Sequence, residues 1–461
     1  MKNNKKQNQT ANSQPQSPEI ALTQALIKIP SITPIDPADL PAAKETLDLL
    51  EKQVKKTGAT TKRLSFAGGH DKWDYEVDNL YVEWVIGKPE KHICYMGHTD
   101  VVPVGEETKW QENPFSGEIK DGFIYGRGAT DMKGSVAAFV TAIEDALQDP
   151  NAQDLNLRIG MIITTDEEWA AINGTRKVLD WMRAEGKKPD SFIVGEPSSH
   201  DHLGSHIKLG RRGSLVGTLS IKGTQGHAAY TALFENPNRA MGLAMAILNA
   251  QKWQDGNDFT PDTNFEIIAT NSGNFKASAI VPGKADLMWN IRFTTEQTPE
   301  KLEQQIKDAL ANPPDWAKTH PDFKYLEMIE VKANIDTASH PYNSKPSLLS
   351  QSLTEAIGEI TGTKAISDGA GGTTDGRFIH QYFPEADIVE MGLPERGGIT
   401  CKHRKPDDYL NKGGMHQIDE RASIQDIKNL KTIFQQAVKK YGTTNTKARA
   451  SHNPSHPKRR P

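Results

Sequence analysis

The stretch 92–134 constrains this chain more than any other. A short apolar run, Ile93-Cys94-Tyr95-Met96, leads straight into Gly97-His98-Thr99-Asp100. Further on, Gly126-Arg127-Gly128 leads into Asp131-Met132-Lys133-Gly134, and a helix rich in Ala and Val follows. A histidine at the end of a strand can bind a metal ion, and a carboxylate two residues on can hold its other nitrogen. A second aspartate from another strand end can add an oxygen ligand. The rest of the chain is therefore read for residues that would complete such a site.

Strands are predicted over 80–85, 93–96, 158–164 and 191–194. Helices are predicted from an Asp39 cap to Thr57 and over 134–147 and 174–184. This alternation predicts an α/β fold with a mostly parallel sheet flanked by helices. In such sheets, sites form at the carboxyl ends of strands. Two further strands end in acids: RIGMIITT in Asp166-Glu167-Glu168, and SFIVG in Glu196. An acidic triple by itself is explained by the dipole of the helix that follows. The recurrence of His98, Glu168 and Glu196 after apolar strands, with Asp131 ahead of a helix, favours a site.

At 461 residues the chain is too long for one core, so two domains are expected. A net charge of -4 gives no footing for nucleic acid or an acidic surface. Two cysteines, Cys94 and Cys401, cannot form a disulfide framework, which fits a reducing cytoplasm. No apolar run approaches the roughly 18 residues of a membrane span. The ends, 1–18 and 441–461, are polar and read as disordered tails, the second with a basic bias. Over 213–327 the pattern shifts to strands with one apolar face and two helices, an α+β domain.

Gly97-His98-Thr99-Asp100, Gly126-Arg127-Gly128 with Asp131-Met132-Lys133-Gly134, Asp166-Glu167-Glu168 and Gly195-Glu196-Pro197-Ser198 resemble the M20 family of dinuclear zinc amidohydrolases. Arg211-Arg212-Gly213-Ser214, Gln225-Gly226-His227 with Tyr230, and Gly371-Gly372-Thr373-Thr374-Asp375-Gly376-Arg377-Phe378 are similar to one branch of it. That branch cleaves N-succinyl-LL-2,6-diaminopimelate to succinate and LL-2,6-diaminopimelate, on the way to lysine and cell-wall precursors. The resemblance covers about 19–440. It implies a zinc-exopeptidase-like catalytic domain, 19–212 and 328–440, interrupted by a lid and dimerisation domain, 213–327.

It also implies roles. His98 and Glu196 would bind one Zn2+ and Glu168 and His416 a second, with Asp131 bridging and Co2+ able to replace zinc. Asp100 would stand behind His98, and Glu167 would be the general base. His227 would reach a partner subunit's site and bond the developing oxyanion. Arg211, Ser214, Tyr230, Arg292, Gly372 and Thr373 would contact the small-molecule substrate of a cytoplasmic homodimer. Chemistry supports the division independently, since one carboxylate must stay off the metals to accept a proton from water.

The chain departs from the family pattern in places. An insertion, 394–413, carries His403, a rival ligand among Lys402, Arg404 and Lys405. His416-Gln417-Ile418-Asp419-Glu420 resembles the family's stretch before its last helix, so His416 is assigned. Ser278-Ala279 stands where the family has an Asn pair, and Thr231 where a Pro is usual. Two alternatives follow: another amide hydrolase of the family, such as an acetylornithine deacetylase or aminoacylase, or a non-catalytic binder on the same scaffold. A retained Glu167 and a full ligand set count against the binder.

Overall fold

The computed structural model describes residues 16–33, 39–68, 76–169, 171–200, 202–257, 259–396 and 413–444. The chain forms two compact units. The first takes residues to Ile207, Ser347–Ile366 and those from Val389, and the second takes Lys208–Pro346 and Ser367–Ile388.

In the first unit five strands stand side by side: Thr60–Phe66, Val77–Ile86, Leu157–Thr164, Lys91–His98 and Ser191–Val194. The first two are antiparallel to their neighbours, and the last three run parallel. Lys91–His98 lies between two parallel partners and is buried along nearly its whole length. This explains why its sequence is a continuous apolar run rather than an alternation. The helix Gly134–Leu147 supplies much of the cover. Tyr95 stacks on its Phe139 at 4.1 Å between centroids, and Phe434 of the helix Ile424–Thr443 meets both rings edge-on. Gly195 is required here by close approach, because a Cβ at that position would overlap the Tyr95 hydroxyl.

The predicted helix over 39–57 is present as Leu40–Lys55, and that over 174–184 as Thr175–Ala184. Helix Ile424–Thr443 extends into the stretch read as a tail, since Tyr441 is 3 % exposed and anchors its last turn. Helix Pro18–Ile27 likewise starts at the edge of the other tail, while residues 1–15 and 445–461 fall outside the described residues.

The second unit is built on an antiparallel sheet in the order Asn264–Ser272, Lys284–Phe293, Gly213–Lys222, Ile329–Ala333. Inward residues alternate along the central strands, as Ala285, Leu287, Trp289, Ile291 and Phe293 do. They pack with Ile247 of helix Pro237–Ala250 and with Leu302 and Ile306 of helix Pro299–Ala311 in one core. Both helices are capped by side chains, Asn236 and Thr298. The sheet continues beyond residue 327, because Ile329–Ala333 pairs with Gly213–Lys222. Among the described residues no helix is long and apolar enough to cross a membrane.

Candidate metal centre

Three adjacent parallel strands of the first unit deliver the acids and the histidine to one edge. Lys91–His98 ends in His98, Leu157–Thr164 is followed by Glu167 and Glu168, and Ser191–Val194 is followed by Glu196. Asp131 comes from the loop before helix Gly134–Leu147, and its peptide bond to Met132 is cis. His416 precedes the strand Arg421–Ser423.

These side chains form two clusters that share Asp131. In the first, His98 Nε2 lies 3.2 Å from Asp131 Oδ1 and 3.5 Å from Glu196 Oε1. In the second, His416 Nε2 lies 3.3 Å from Asp131 Oδ2 and 3.1 Å from Glu168 Oε1. Within each cluster, candidate ligand atoms lie within 4.8 Å of one another. One carboxylate thus offers an oxygen to each side, the arrangement a bridging ligand needs.

The electrostatics point the same way. Burial pushes Glu168 up to about 8, and the Asp131 charge adds to it. Burial and Asp131 likewise raise Glu196 well above the usual carboxylate range. Burial would lower His98, but its bond to Asp131 and the Glu196 charge hold it well above an ordinary imidazole. Hydrogen bonds to Asp131 and Glu168 push His416 up to about 11. Burial opposes ionisation of Asp131, yet the two imidazoles hold it well below its ordinary value. Two imidazoles with three carboxylates, gathered around the buried Asp131, suit borderline divalent ions such as zinc.

Asp100 differs from expectation. The His98 Nδ1 hydrogen bond, at 2.9 Å, goes to the Asp100 backbone carbonyl, while the carboxylate Oδ1 stands at 3.6 Å. The side chain has turned because its Oδ2 accepts the N–H groups of both Glu167 and Glu168, each at 3.0 Å. It therefore fixes the loop carrying the expected base and one ligand. Glu167 itself is half-buried.

Two residues of this centre were quoted in the sequence motifs without a role. Glu420, fully buried, accepts backbone N–H groups of the Asp131 loop. Lys133, also fully buried, donates to the Leu26 and Ile29 carbonyls at the end of helix Pro18–Ile27. Their places inside the quoted motifs were the one available signal. His403 and most of the insertion lie outside the described residues.

The expected substrate residues belong to the second unit. Ser214 pairs with Arg292 across neighbouring strands, and its hydroxyl accepts from Asn290. Burial lowers Arg292, with Arg212 nearby adding to this. Arg211 is 3 % exposed, donates to the Ala370 carbonyl and fills the space beside Gly371, which brings it to the segment carrying Gly372 and Thr373. His227 and Tyr230 are exposed, with rings 5.4 Å apart.

An α/β unit with acids and imidazoles gathered at its strand ends defines a metal-dependent hydrolase scaffold. The chain belongs to the peptidase family M20/M25/M40, which residues 94–440 match. A succinyl-diaminopimelate desuccinylase of Bradyrhizobium sp. strain BTAi1 is 36% identical over 423 residues, 92% of this chain and 98% of that one. The enzyme of the same name from Rhodospirillum centenum is 35% identical over 425 residues, 92% of this chain and 97% of its own. Among solved structures, an M20 family metallo-carboxypeptidase from Sulfolobus solfataricus superposes with a TM-score of 0.69 at 20% identity, over 93% of this chain and 100% of that one. Human carnosine dipeptidase 1 also gives 0.69, at 15% identity over 92% of this chain and 96% of its own. These two share the fold.

Proposed function

We propose that this M20 hydrolase removes the succinyl group from N-succinyl-LL-2,6-diaminopimelate, giving succinate and LL-2,6-diaminopimelate for lysine and cell-wall synthesis. The observation that carries this reading is the identity of 36% sustained over 92% of the chain with an enzyme named for that reaction. The alignment spans nearly the whole of both proteins.

His98 and Glu196 would hold one zinc ion, Glu168 and His416 the other, and Asp131 both; cobalt would serve in zinc's place. Bound there, the two ions would acidify a shared water and polarise the amide carbonyl. Glu167 accepts the proton of the attacking water and returns it to the leaving amine, a task that suits a half-buried carboxylate beside a ligand rather than a ligand itself. Asp100 keeps Glu167 on station through the backbone. His227, from a second copy of the chain in a homodimer, donates to the developing oxyanion. The substrate carries carboxylates at both ends, and guanidinium groups grip carboxylates in two-pronged fashion. Arg211 and Arg292 take that part, with Ser214, Tyr230, Gly372 and Thr373 around them. A small polar substrate and two cysteines without a disulfide framework suit a cytoplasmic enzyme.

The test is hydrolysis by zinc-loaded protein of N-succinyl-LL-2,6-diaminopimelate beside N-acetylornithine. The reading predicts a kcat/KM ratio of at least about 100 for the succinylated substrate, a floor well below the roughly 10,000-fold that a site built to pair a substrate's polar groups reaches. Preference for the acetylated substrate, or turnover of neither, overturns it.

A further inference from the structure

Glu420 has no exposed surface, and both its carboxylate oxygens are engaged. Oε1 accepts three backbone N–H groups of one loop, from Gly128 at 3.1 Å, Thr130 at 3.1 Å and Asp131 at 3.2 Å. Oε2 accepts Nη1 of Arg127 at 2.6 Å. Gly128, at φ 87 in the left-handed region, turns the loop so that these N–H groups converge. The backbone N–H of Gly126 adds a bond to the Glu420 carbonyl at 2.8 Å, and the Thr130 hydroxyl one to Arg421.

Arg127 faces the other way as well. Its guanidinium donates to the carbonyl of Gln417 at 3.2 Å and to that of His416 at 3.4 Å. His416 sits at φ 61, a conformation a residue with a side chain keeps only where its surroundings hold it. Arg127 itself is 2 % exposed and lies over the Trp110 ring. The pair therefore touches the backbone of two residues that face the same centre from opposite ends of the sequence. Glu420 holds the main chain of Asp131, and Arg127 holds the main chain of His416.

We infer that Arg127 and Glu420 are positioning residues that set the Asp131 loop and the His416 loop at ligand distance from each other. The inference rests on the metal-centre reading above. A carboxylate buried with one guanidinium and three amides has little freedom, so the loops inherit that rigidity. Partners that orient metal ligands in this way typically govern about 10- to 100-fold in metal affinity.

The test uses the full chain, stripped of metal and titrated with Zn2+ against a chromophoric chelator, with the visible spectrum of the Co2+ form as a second readout. In Glu420→Gln the amide still accepts from the loop but presents a donor to Arg127. Arg127→Lys keeps a cation for Glu420 and loses the fork that reaches His416 and Gln417. Glu420→Gln should weaken zinc binding about 10- to 100-fold and alter the cobalt bands, with metal-free unfolding still cooperative. Arg127→Lys should weaken one of the two binding events and spare the other. Parent affinity and parent cobalt spectra in both variants, with only a lower Tm, would overturn the inference. Should Glu420→Gln not fold, Arg127→Lys decides alone. Asp131→Asn run in parallel separates the two readings. Parent affinity there removes the metal centre itself, whereas loss there with parent affinity in Glu420→Gln and Arg127→Lys removes only the positioning role.

Discussion

Two histidines on one strand have opposite fates. His92 and His98 stand at the two ends of Lys91–His98, and both are buried, at 8% and 1% exposed. Burial, with the Arg158 charge adding to it, pushes His92 down to about 4. His98 is buried even more deeply, yet it is raised, because Asp131, Glu196, Asp100 and Glu167 surround it. Desolvation acts on both in the same direction, so neighbouring charge decides the sign. At the His92 end, charges are matched within the protein: Glu83 takes Arg158 at 2.8 Å and Lys187 at 3.0 Å. At the His98 end, Asp100, Asp131, Glu167, Glu168 and Glu196 face two imidazoles, and the nearby Arg127 is committed to Glu420. At the His92 end Glu83 is matched by two cations, while at the His98 end the acids outnumber, among the described residues, the imidazoles that face them.

This contrast can be broken most directly at Glu167. Glu167→Gln should keep its bound metal, read by elemental analysis, and lose about 100- to 10,000-fold in kcat, the range a general base supplies. Near-parent turnover would mean that the acid-rich end does not work through this carboxylate. Next in size is the pair of candidate ligands. His416→Ala should lose metal together with most activity, whereas His403→Ala should keep both; the opposite ranking would move the second cluster into the insertion.

The smallest effect belongs to the matched end. His92→Gln should leave turnover unchanged and alter only the acid limb of stability. The imidazole pKa falls from 6.5 unfolded to about 4 folded, so the unfolded chain takes up a proton that the native state refuses. The stability His92 provides is present above about 6.5 and is lost as pH falls towards 4. Melting curves across that window should therefore decline less steeply in the variant, and parallel declines would show that His92 is not held neutral by the fold.

Much of the centre was legible because each contributing strand is an apolar run that stops at an acid or a histidine. That is a local signal, and burial on both faces makes it strong. The strand Thr60–Phe66 gave none, since only Leu64 of its seven residues is buried and it reads as polar. Strand Ile329–Ala333 lay hidden for a similar reason, since half-buried and exposed residues alternate along it and none is buried. Asp100 was found, but the direction of its carboxylate was not, because two backbone N–H groups of another loop compete for it. Arg127 and Glu420 were invisible as partners for a simpler reason: their contact spans 293 residues of sequence, and no spacing pattern reaches so far.

That distance bears on how the protein comes into being. The chain leaves the ribosome with its N-terminal parts first, at about 5–20 residues per second. His98, Asp131, Glu168 and Glu196 emerge early, while the carboxylate that holds the Asp131 loop follows Asp131 by 289 residues. Until Glu420 and His416 arrive, and the strand Arg421–Ser423 pairs with Phe123–Tyr125, Asp131 lies on a loop without its anchor. A nascent chain thus carries all three residues of the first cluster, His98, Asp131 and Glu196, before the Asp131 loop is anchored, while the second cluster waits for His416.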